Sequence, residues 1–292
     1  MKRVLITGSA GFLGRTLVSD LKRYGHFVCG IDKKSESQSD LFYQHDLLNP
    51  FRSDIPKFDL CIHLASCADG FLANATQEDI FKQEQVMLNT VLDICQREKI
   101  CRIVFASSIN VFECGDAFPQ GCLVDLNQIS PYARAKAHCE RVIEESFSEF
   151  VIVRPTNFFG KQQTRNLESA PGFAHVIPDL LLKIRSANSC IEVMGDGTQR
   201  RNFIHIQDVS NFFRRILESP KTGWFNIRSE IEISILELTK ELLKFESKEC
   251  EIKFLPNYMK FEPQMIKPFD IQALNELGWQ AEVCSLIDGL NR

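Results

Sequence analysis

Tyr132 and Lys136 stand four residues apart in the run Ser130-Pro131-Tyr132-Ala133-Arg134-Ala135-Lys136, a spacing that puts two side chains on one helical face. Ser130 is a good helix N-cap, and Pro131 suits the first helical position, where its missing N–H costs nothing. An ammonium beside a phenol favours the phenolate. Lys136 would therefore bring Tyr132 down from the ordinary pKa of about 10, toward a value useful to a general acid/base near neutral pH. Ser108 closes an apolar run twenty-four residues before Tyr132 and adds a hydroxyl. The set reads as a hydride-transfer site. A chain with four tyrosines yields some Tyr-x-x-x-Lys by chance, so the pair gains its force from what surrounds it.

Those surroundings begin at the N-terminus, where Lys2-Arg3-Val4-Leu5-Ile6-Thr7 runs into Gly8-Ser9-Ala10-Gly11-Phe12-Leu13-Gly14. The order is strand, tight turn, helix. Gly8 and Gly11 let the backbone approach a pyrophosphate and Gly14 allows close helix packing. The helix start at Phe12 and Leu13 offers free N–H groups and a partial positive charge. A plain Gly-rich turn is the competing reading. A second strand, Phe27-Val28-Cys29-Gly30-Ile31, ends on Asp32, eighteen residues beyond Gly14, close to where a ribose-binding carboxylate is expected. Its oxygens would accept from both ribose hydroxyls and repel a 2′-phosphate. That favours NAD, while Lys33 and Lys34 leave NADP open. The competing reading of Asp32 is a residue that merely starts a turn.

At 292 residues and 44% apolar content, the chain can bury a large core, as one big α/β unit or two interlocked lobes. A net charge of −4 without a basic stripe gives no footprint for nucleic acid. No apolar run nears the roughly 18 residues of a membrane span. Only a short apolar stretch follows Lys2-Arg3 before Thr7-Gly8, so no signal peptide is expected and the expected location is cytoplasmic. Eleven cysteines without a Cys-x-x-Cys, among them Cys29, Cys61, Cys95, Cys101 and Cys139, read as small buried hydrophobes in a reducing compartment. No disulfide frame or metal site is expected.

Short apolar runs at Val4–Thr7, Phe27–Ile31, Leu60–Ala65, Ile103–Ser107 and Val151–Arg154 alternate with helical patterns. One of these has Leu88, Val91, Leu92 and Cys95 in register, and another runs from Pro131 to about Phe147. Such alternation implies an α/β fold with a doubly wound parallel sheet of Rossmann type, whose ligands lie beyond the carboxyl ends of the strands. Gly8, Asp32, His63-Leu64-Ala65-Ser66, Ser107-Ser108 and Pro155-Thr156-Asn157 all fall at such ends.

These motifs, with Asp46-Leu47, Arg154-Pro155-Thr156-Asn157-Phe158-Phe159-Gly160 and the stretch from Gly195 to Val209, resemble an extended short-chain dehydrogenase/reductase of the NAD-dependent epimerase/dehydratase family, which acts on nucleotide sugars. The resemblance implies that Ser108 and Tyr132 bind the reacting sugar hydroxyl, that Tyr132 takes its proton, and that Lys136 binds the nicotinamide ribose. It also implies adenine contact at Asp46 and Leu47, cofactor contact at Leu64, Ala65, Ser66 and Pro155, and a grip on the nucleotide diphosphate by Asn157 and Arg201. For Asn157 a loop-capping role competes, and for Arg201 a solvated charge in the Arg200-Arg201 pair. Such enzymes often dimerise through helices placed here near 76–98 and 130–147, so a homodimer is expected.

Departures from the family pattern narrow the chemistry. Phe112 and Glu113 replace a usual Tyr-Gly. Ile109 and Asn110 stand where the dehydratases carry an acidic pair and the decarboxylases a Glu; Asn110 is neither acid nor base, which argues against water elimination and leaves Asn110 as a substrate contact. His175-Val176-Ile177-Pro178 resembles a stretch carrying a catalytic acid in the family's GDP-fucose synthases, with packing or capping as the competing role. The expected activity is C4 epimerisation through a transient keto sugar. The alternatives are an NAD(P)H-dependent 4-ketosugar reductase or epimerase-reductase, a keto reductase acting on a substrate without a nucleotide, and a non-catalytic dinucleotide-binding regulator. Residues 1–160 and about 204–228 would form the dinucleotide-binding domain, and about 161–203 with 229–292 the smaller substrate lobe. Within it, Gln162–Pro171 reads as a flexible loop. Asp208 should cap a helix carrying Val209, Phe212, Phe213, Ile216 and Leu217, Trp224–Ile227 should form a buried strand, and Ser234 and Glu237 offer a capping box.

Overall fold

The computed structural model describes residues 1–35, 38–67, 79–112, 130–161, 175–255 and 271–292. The expected loop Gln162–Pro171, Glu113 and residues 76–78 lie outside them.

Strands β1 (Arg3–Thr7), β2 (Phe27–Asp32), β3 (Leu41–Gln44), β4 (Leu60–His63), β5 (Arg102–Ala106), β6 (Glu149–Pro155) and β10 (Gly223–Ile227) form one seven-stranded sheet. Its order is β10-β6-β5-β4-β1-β2-β3, and every pairing is parallel. Side chains alternate across the pleat and divide the apolar strands between two cores. On one face Val4, Ile6, Val28, Ile62, Val104 and Val153 meet α1 (Phe12–Arg23) and α5 (Ile206–Glu218). On the other, Leu5, Cys29, Ile31, Cys61, Ile103 and Phe105 meet α2 (Asp79–Glu98) and α3 (Pro131–Ser146). Burial on both faces is what requires continuous apolar strands rather than alternating ones.

A three-stranded sheet joins β7 (Asn157–Phe159), β9 (Arg200–His205) and β11 (Ile231–Ser234), and β8 (Cys190–Met194) pairs in parallel with β12 (Glu251–Leu255). With α4 (Val176–Ser186), α6 (Ile235–Phe245) and α8 (Leu286–Asn291) they enclose a third core around Phe159, Leu181, Phe203 and Leu238. Ser234 and Glu237 close the expected capping box on α6. One further helix, α7 (Ile271–Glu276), precedes Trp279, which packs on α5.

Three local expectations need correction. The cap of α5 is His205, whose ring nitrogen accepts from the Gln207 N–H. The Asp208 carboxylate instead accepts from the backbone N–H groups of Glu282 and Val283 at 3.0 and 3.2 Å, because the C-terminal chain returns across it. Cys101 is exposed, in the turn before β5, while Cys29, Cys61, Cys95 and Cys139 are buried; all nine described cysteines are free. Strand β4 stops at His63, where the Leu64 N–H bonds back to the Thr7 carbonyl. No helix among the described residues is long and apolar enough to cross a membrane.

Candidate active site

Because the main sheet is parallel, the carboxyl ends of its strands share one edge, and there the candidate residues gather. Gly8 follows β1, Asp32 ends β2, Leu64, Ala65 and Ser66 follow β4, Ser107 and Ser108 follow β5, and Pro155 ends β6. Neighbouring ends are clipped together. Gly8 N–H donates to Ile31 O at 2.8 Å, Ser107 N–H to Val153 O at 2.8 Å, and Thr156 N–H to Ile227 O at 3.1 Å.

The glycine loop is shaped by contact. Gly8 has φ +74°, and a Cβ there would lie 2.6 Å from the Ala65 nitrogen; a Cβ on Gly14 would lie 2.1 Å from the Gly8 oxygen. Gly11 is the N-cap of α1 and has no side chain to occupy the first turn. The N–H groups of Phe12, Leu13 and Gly14 precede the first intrahelical bonds and are open to an anion. Asp32 ties this loop to β2, since one oxygen accepts from Ala10 N–H at 2.9 Å and the other from Lys34 N–H at 2.8 Å. It thus holds a turn and also presents a carboxylate at the strand end. Asp46 likewise closes a turn on Leu48 N–H at 3.0 Å, while Leu47 is buried in the core beneath. A dinucleotide fits this cradle.

At the start of the helix that carries Tyr132 and Lys136, Ser130 caps α3 by accepting from Ala133 N–H at 3.2 Å, with Pro131 in the first position. Tyr132 is half-buried. The Lys136 Nζ is 5.7 Å from the Tyr132 ring centroid and 5.0 Å from that of Phe105. Lys136 is 2% exposed and pairs at 3.1 Å with Glu84, which is 1% exposed. The other Glu84 oxygen accepts from Ser66 Oγ at 2.6 Å and from Cys67 N–H at 2.7 Å. Burial opposes the Lys136 charge, and Glu84 more than offsets it, holding the ammonium above the usual lysine range. Burial likewise opposes the Glu84 charge, but Lys136 and the two hydrogen bonds carry the carboxyl below its ordinary value. Beside them His63, bonded to Thr7 Oγ1 at 2.7 Å, is pushed down to about 4 by burial and by the Lys136 charge. Ser108 is half-buried and accepts from Asn110 N–H at 3.2 Å, in a short 3-10 turn over Ile109–Phe112.

Glu84 was not singled out in the sequence, although it leaves a signal there. It falls in the apolar stripe of α2 between Ile80 and Met87-Leu88, and a carboxylate in such a stripe needs a buried cation or donors. The same holds for Glu140 on α3, which meets Arg154 and the Ser107 hydroxyl.

Of the residues expected at the substrate, Asn157 and Arg201 lie on the three-stranded sheet, Asn110 in the 3-10 turn after β5 and His175 at the start of α4. Asn157, exposed on β7, donates to Asn202 O at 3.1 Å. Arg200 and Arg201 face opposite ways on β9. Arg200 pairs with Glu232 and Glu237 at 3.1 and 3.4 Å, and the half-buried Arg201 donates to Arg200 O at 2.9 Å. His175 is the exposed N-cap residue of α4, and its side chain does not cap the helix.

A doubly wound sheet with a dinucleotide cradle and a Tyr–Lys pair at its carboxyl edge defines a dinucleotide-dependent enzyme. The NAD dependent epimerase/dehydratase family matches residues 4–227, and the chain belongs to that family, an extended short-chain dehydrogenase/reductase type of enzyme with NAD as cofactor. The bovine dTDP-D-glucose 4,6-dehydratase is 24% identical over 97% of this chain and 85% of its own length. The UDP-glucose 4-epimerase of Mycolicibacterium smegmatis is 25% identical over 99% and 96%. The crystal structure of the UDP-glucose 4-epimerase of Thermotoga maritima with UDP-glucose superposes with a TM-score of 0.80 at 22% identity, covering 99% of this chain and 96% of that one.

Proposed function

We propose that the protein is a nucleotide-sugar epimerase that inverts C4 of the sugar through a transient 4-keto intermediate. The observation that carries this reading is the buried Lys136 beside Tyr132, at the sheet edge that also bears the glycine cradle. Asn110, where a dehydratase needs an acid, weighs against elimination. Phe12, Leu13 and the glycines at 8, 11 and 14 would hold the NAD pyrophosphate, Asp32 the adenosine ribose, Asp46 and Leu47 the adenine, and Leu64, Ala65, Ser66, Lys136 and Pro155 the nicotinamide half. Bound NAD supplies a reversible hydride acceptor. Ser108 would orient the C4 hydroxyl, and Tyr132 would take its proton in the oxidative half-reaction. Inversion would require the transient 4-keto sugar to present its other face before Tyr132 returns the proton. Arg201 and Asn157 hold the diphosphate through donors matched to its oxygens, and Asn110 bonds the sugar.

We also read the chain as a cytoplasmic homodimer paired through α2 and α3, with residues 1–160 and 204–228 as the cofactor domain and the remainder as the substrate lobe. The exposed, non-capping His175 favours one second reading, a 4-ketosugar reductase or epimerase-reductase with His175 as an acid. A proton NMR time course with NAD and UDP-, GDP-, dTDP-, CDP- and ADP-sugars, read alongside NADH absorbance, separates the two. A new anomeric signal without NADH supports the epimerase. Stoichiometric NADH points to the reductase run backwards, and no change with any of these sugars rejects both.

A further inference from the structure

We infer that Glu84 is a positioning residue that sets the proton affinity of the Tyr132–Lys136 pair, through its buried ion pair with Lys136 and its anchorage on Ser66 and Cys67 at the end of β4. The inference rests on the reading of Tyr132 as the proton-transfer group. An unpaired ammonium at Lys136 would act on the phenol with its full charge. Here a carboxylate 3.1 Å from Nζ offsets that charge, with both side chains buried. Two hydrogen bonds hold the carboxylate in place, and the segment after β4 that carries Ser66 is joined to the helices that carry Glu84 and Lys136.

Among the described residues, the titratable groups facing this pair are few. From β4 and its end come His63, held neutral at physiological pH by burial and the Lys136 charge, and Cys67, whose thiol burial pushes up to about 11. From α3 come Tyr132 and Cys139, the latter pushed up to about 12, again mainly by burial. Among the described groups it is therefore Glu84 that supplies the negative charge next to Lys136, and the sign of its removal follows directly. Losing a nearby anion makes every neighbouring proton easier to release. In Glu84→Gln both Tyr132 and Lys136 should titrate at lower pH, and a pH–activity profile should slide toward acid on both limbs.

The phenolate absorbance gives a readout independent of substrate. Subtracting the titration of Tyr132→Phe from that of the unmodified protein isolates Tyr132, since the other three tyrosines cancel. Repeated in the Glu84→Gln background, the Tyr132 midpoint should fall by about one pH unit, the scale of one unit charge a few ångströms away at the effective dielectric of a protein interior. Glu84→Asp, which keeps the charge, should move it much less. A midpoint unchanged in Glu84→Gln, or moved equally by Glu84→Asp, overturns the inference.

Gln at 84 orphans a buried ammonium and can prevent folding, so the neutral pair Glu84→Gln/Lys136→Met supplies a second test. If Glu84 offsets most of the Lys136 charge, removing both should leave the Tyr132 midpoint within about half a pH unit of its original value. A rise of a full unit or more would mean that Lys136 acts uncompensated. These titrations judge the role of Glu84. Retained turnover in Tyr132→Phe would instead reject the role of Tyr132, and the two failures cannot be confused.

Discussion

A phenol and an ammonium can serve as the proposed proton-transfer pair only through their surroundings, which at the scale of single residues are explicit. Tyr132 is half-buried on a capped first turn, and Lys136 is buried and charged. General acid/base groups contribute about 10² to 10⁴ in rate, so Tyr132→Phe should lower kcat by at least about 10²-fold. NAD affinity should hold, since only the proton-transfer oxygen is lost; steady-state kinetics with a fluorescence titration of the cofactor checks both. His63 offers a second residue-scale prediction. Its folded pKa of about 4 lies below the unfolded value of about 6.5, so acid favours the unfolded chain, which takes up the proton that the folded one refuses. The stability due to neutral His63 is complete above about pH 6.5 and is lost as pH falls toward 4, by about 2 kcal/mol between pH 7 and 5. Urea unfolding at the two pH values should show that loss, and His63→Gln should reduce it. An equal loss in the variant would assign it to other groups.

The element that matters most is α3. Tyr132, Lys136 and Glu140 recur every four residues along it, so one helical face carries the proposed proton-transfer pair at its start and an anchor a turn or two later. Glu140 accepts from Ser107 Oγ and from Arg154, whose Nε lies at 2.9 Å. That contact ties α3 to the ends of β5 and β6, beside Ser108. Removing one member of a buried ion pair leaves the other uncompensated, at a cost of about 3–5 kcal/mol. Glu140→Ala should lower the unfolding free energy by that amount. The apolar double replacement Glu140→Leu/Arg154→Met should lose clearly less than the sum of its singles, as a denaturant double-mutant cycle will show.

On the scale of the whole molecule, the last residues bind the chain together. Trp279 is 3% exposed, stacks edge-on against Phe212 at 5.3 Å and donates to the Asp208 carbonyl, while the Asp208 carboxylate holds Glu282 and Val283. From there the chain runs into α8, where a Cβ on Gly289 would come within 2.7 Å of the Phe159 ring in the third core. The C-terminal chain thus joins a helix of the main sheet to the third core. Trp279→Ala should cost about 3–5 kcal/mol and lower the melting temperature of the main-sheet cores and the third core together. Calorimetry resolving two separate transitions in the unmodified protein would reject that coupling.

The sequence by itself determined the strand-helix alternation, the glycine cradle, the Tyr132–Lys136 helix with its Ser130 cap and the gathering of motifs at strand ends. Each of these is written in residues close in the chain, through periodicity, turn chemistry and capping. It missed β3, which is only partly buried, and the strands of the two smaller sheets, where β8 finds β12 and β9 lies between β7 and β11. Tertiary structure alone decided which buried polar groups meet. Glu84 reaches Lys136 across 52 residues, and Asp208 reaches Val283 across 75. A local pattern can mark a carboxylate that needs a partner, but the partner is chosen by which helix faces and strand ends the fold presses together, and that depends on the packing of the whole chain.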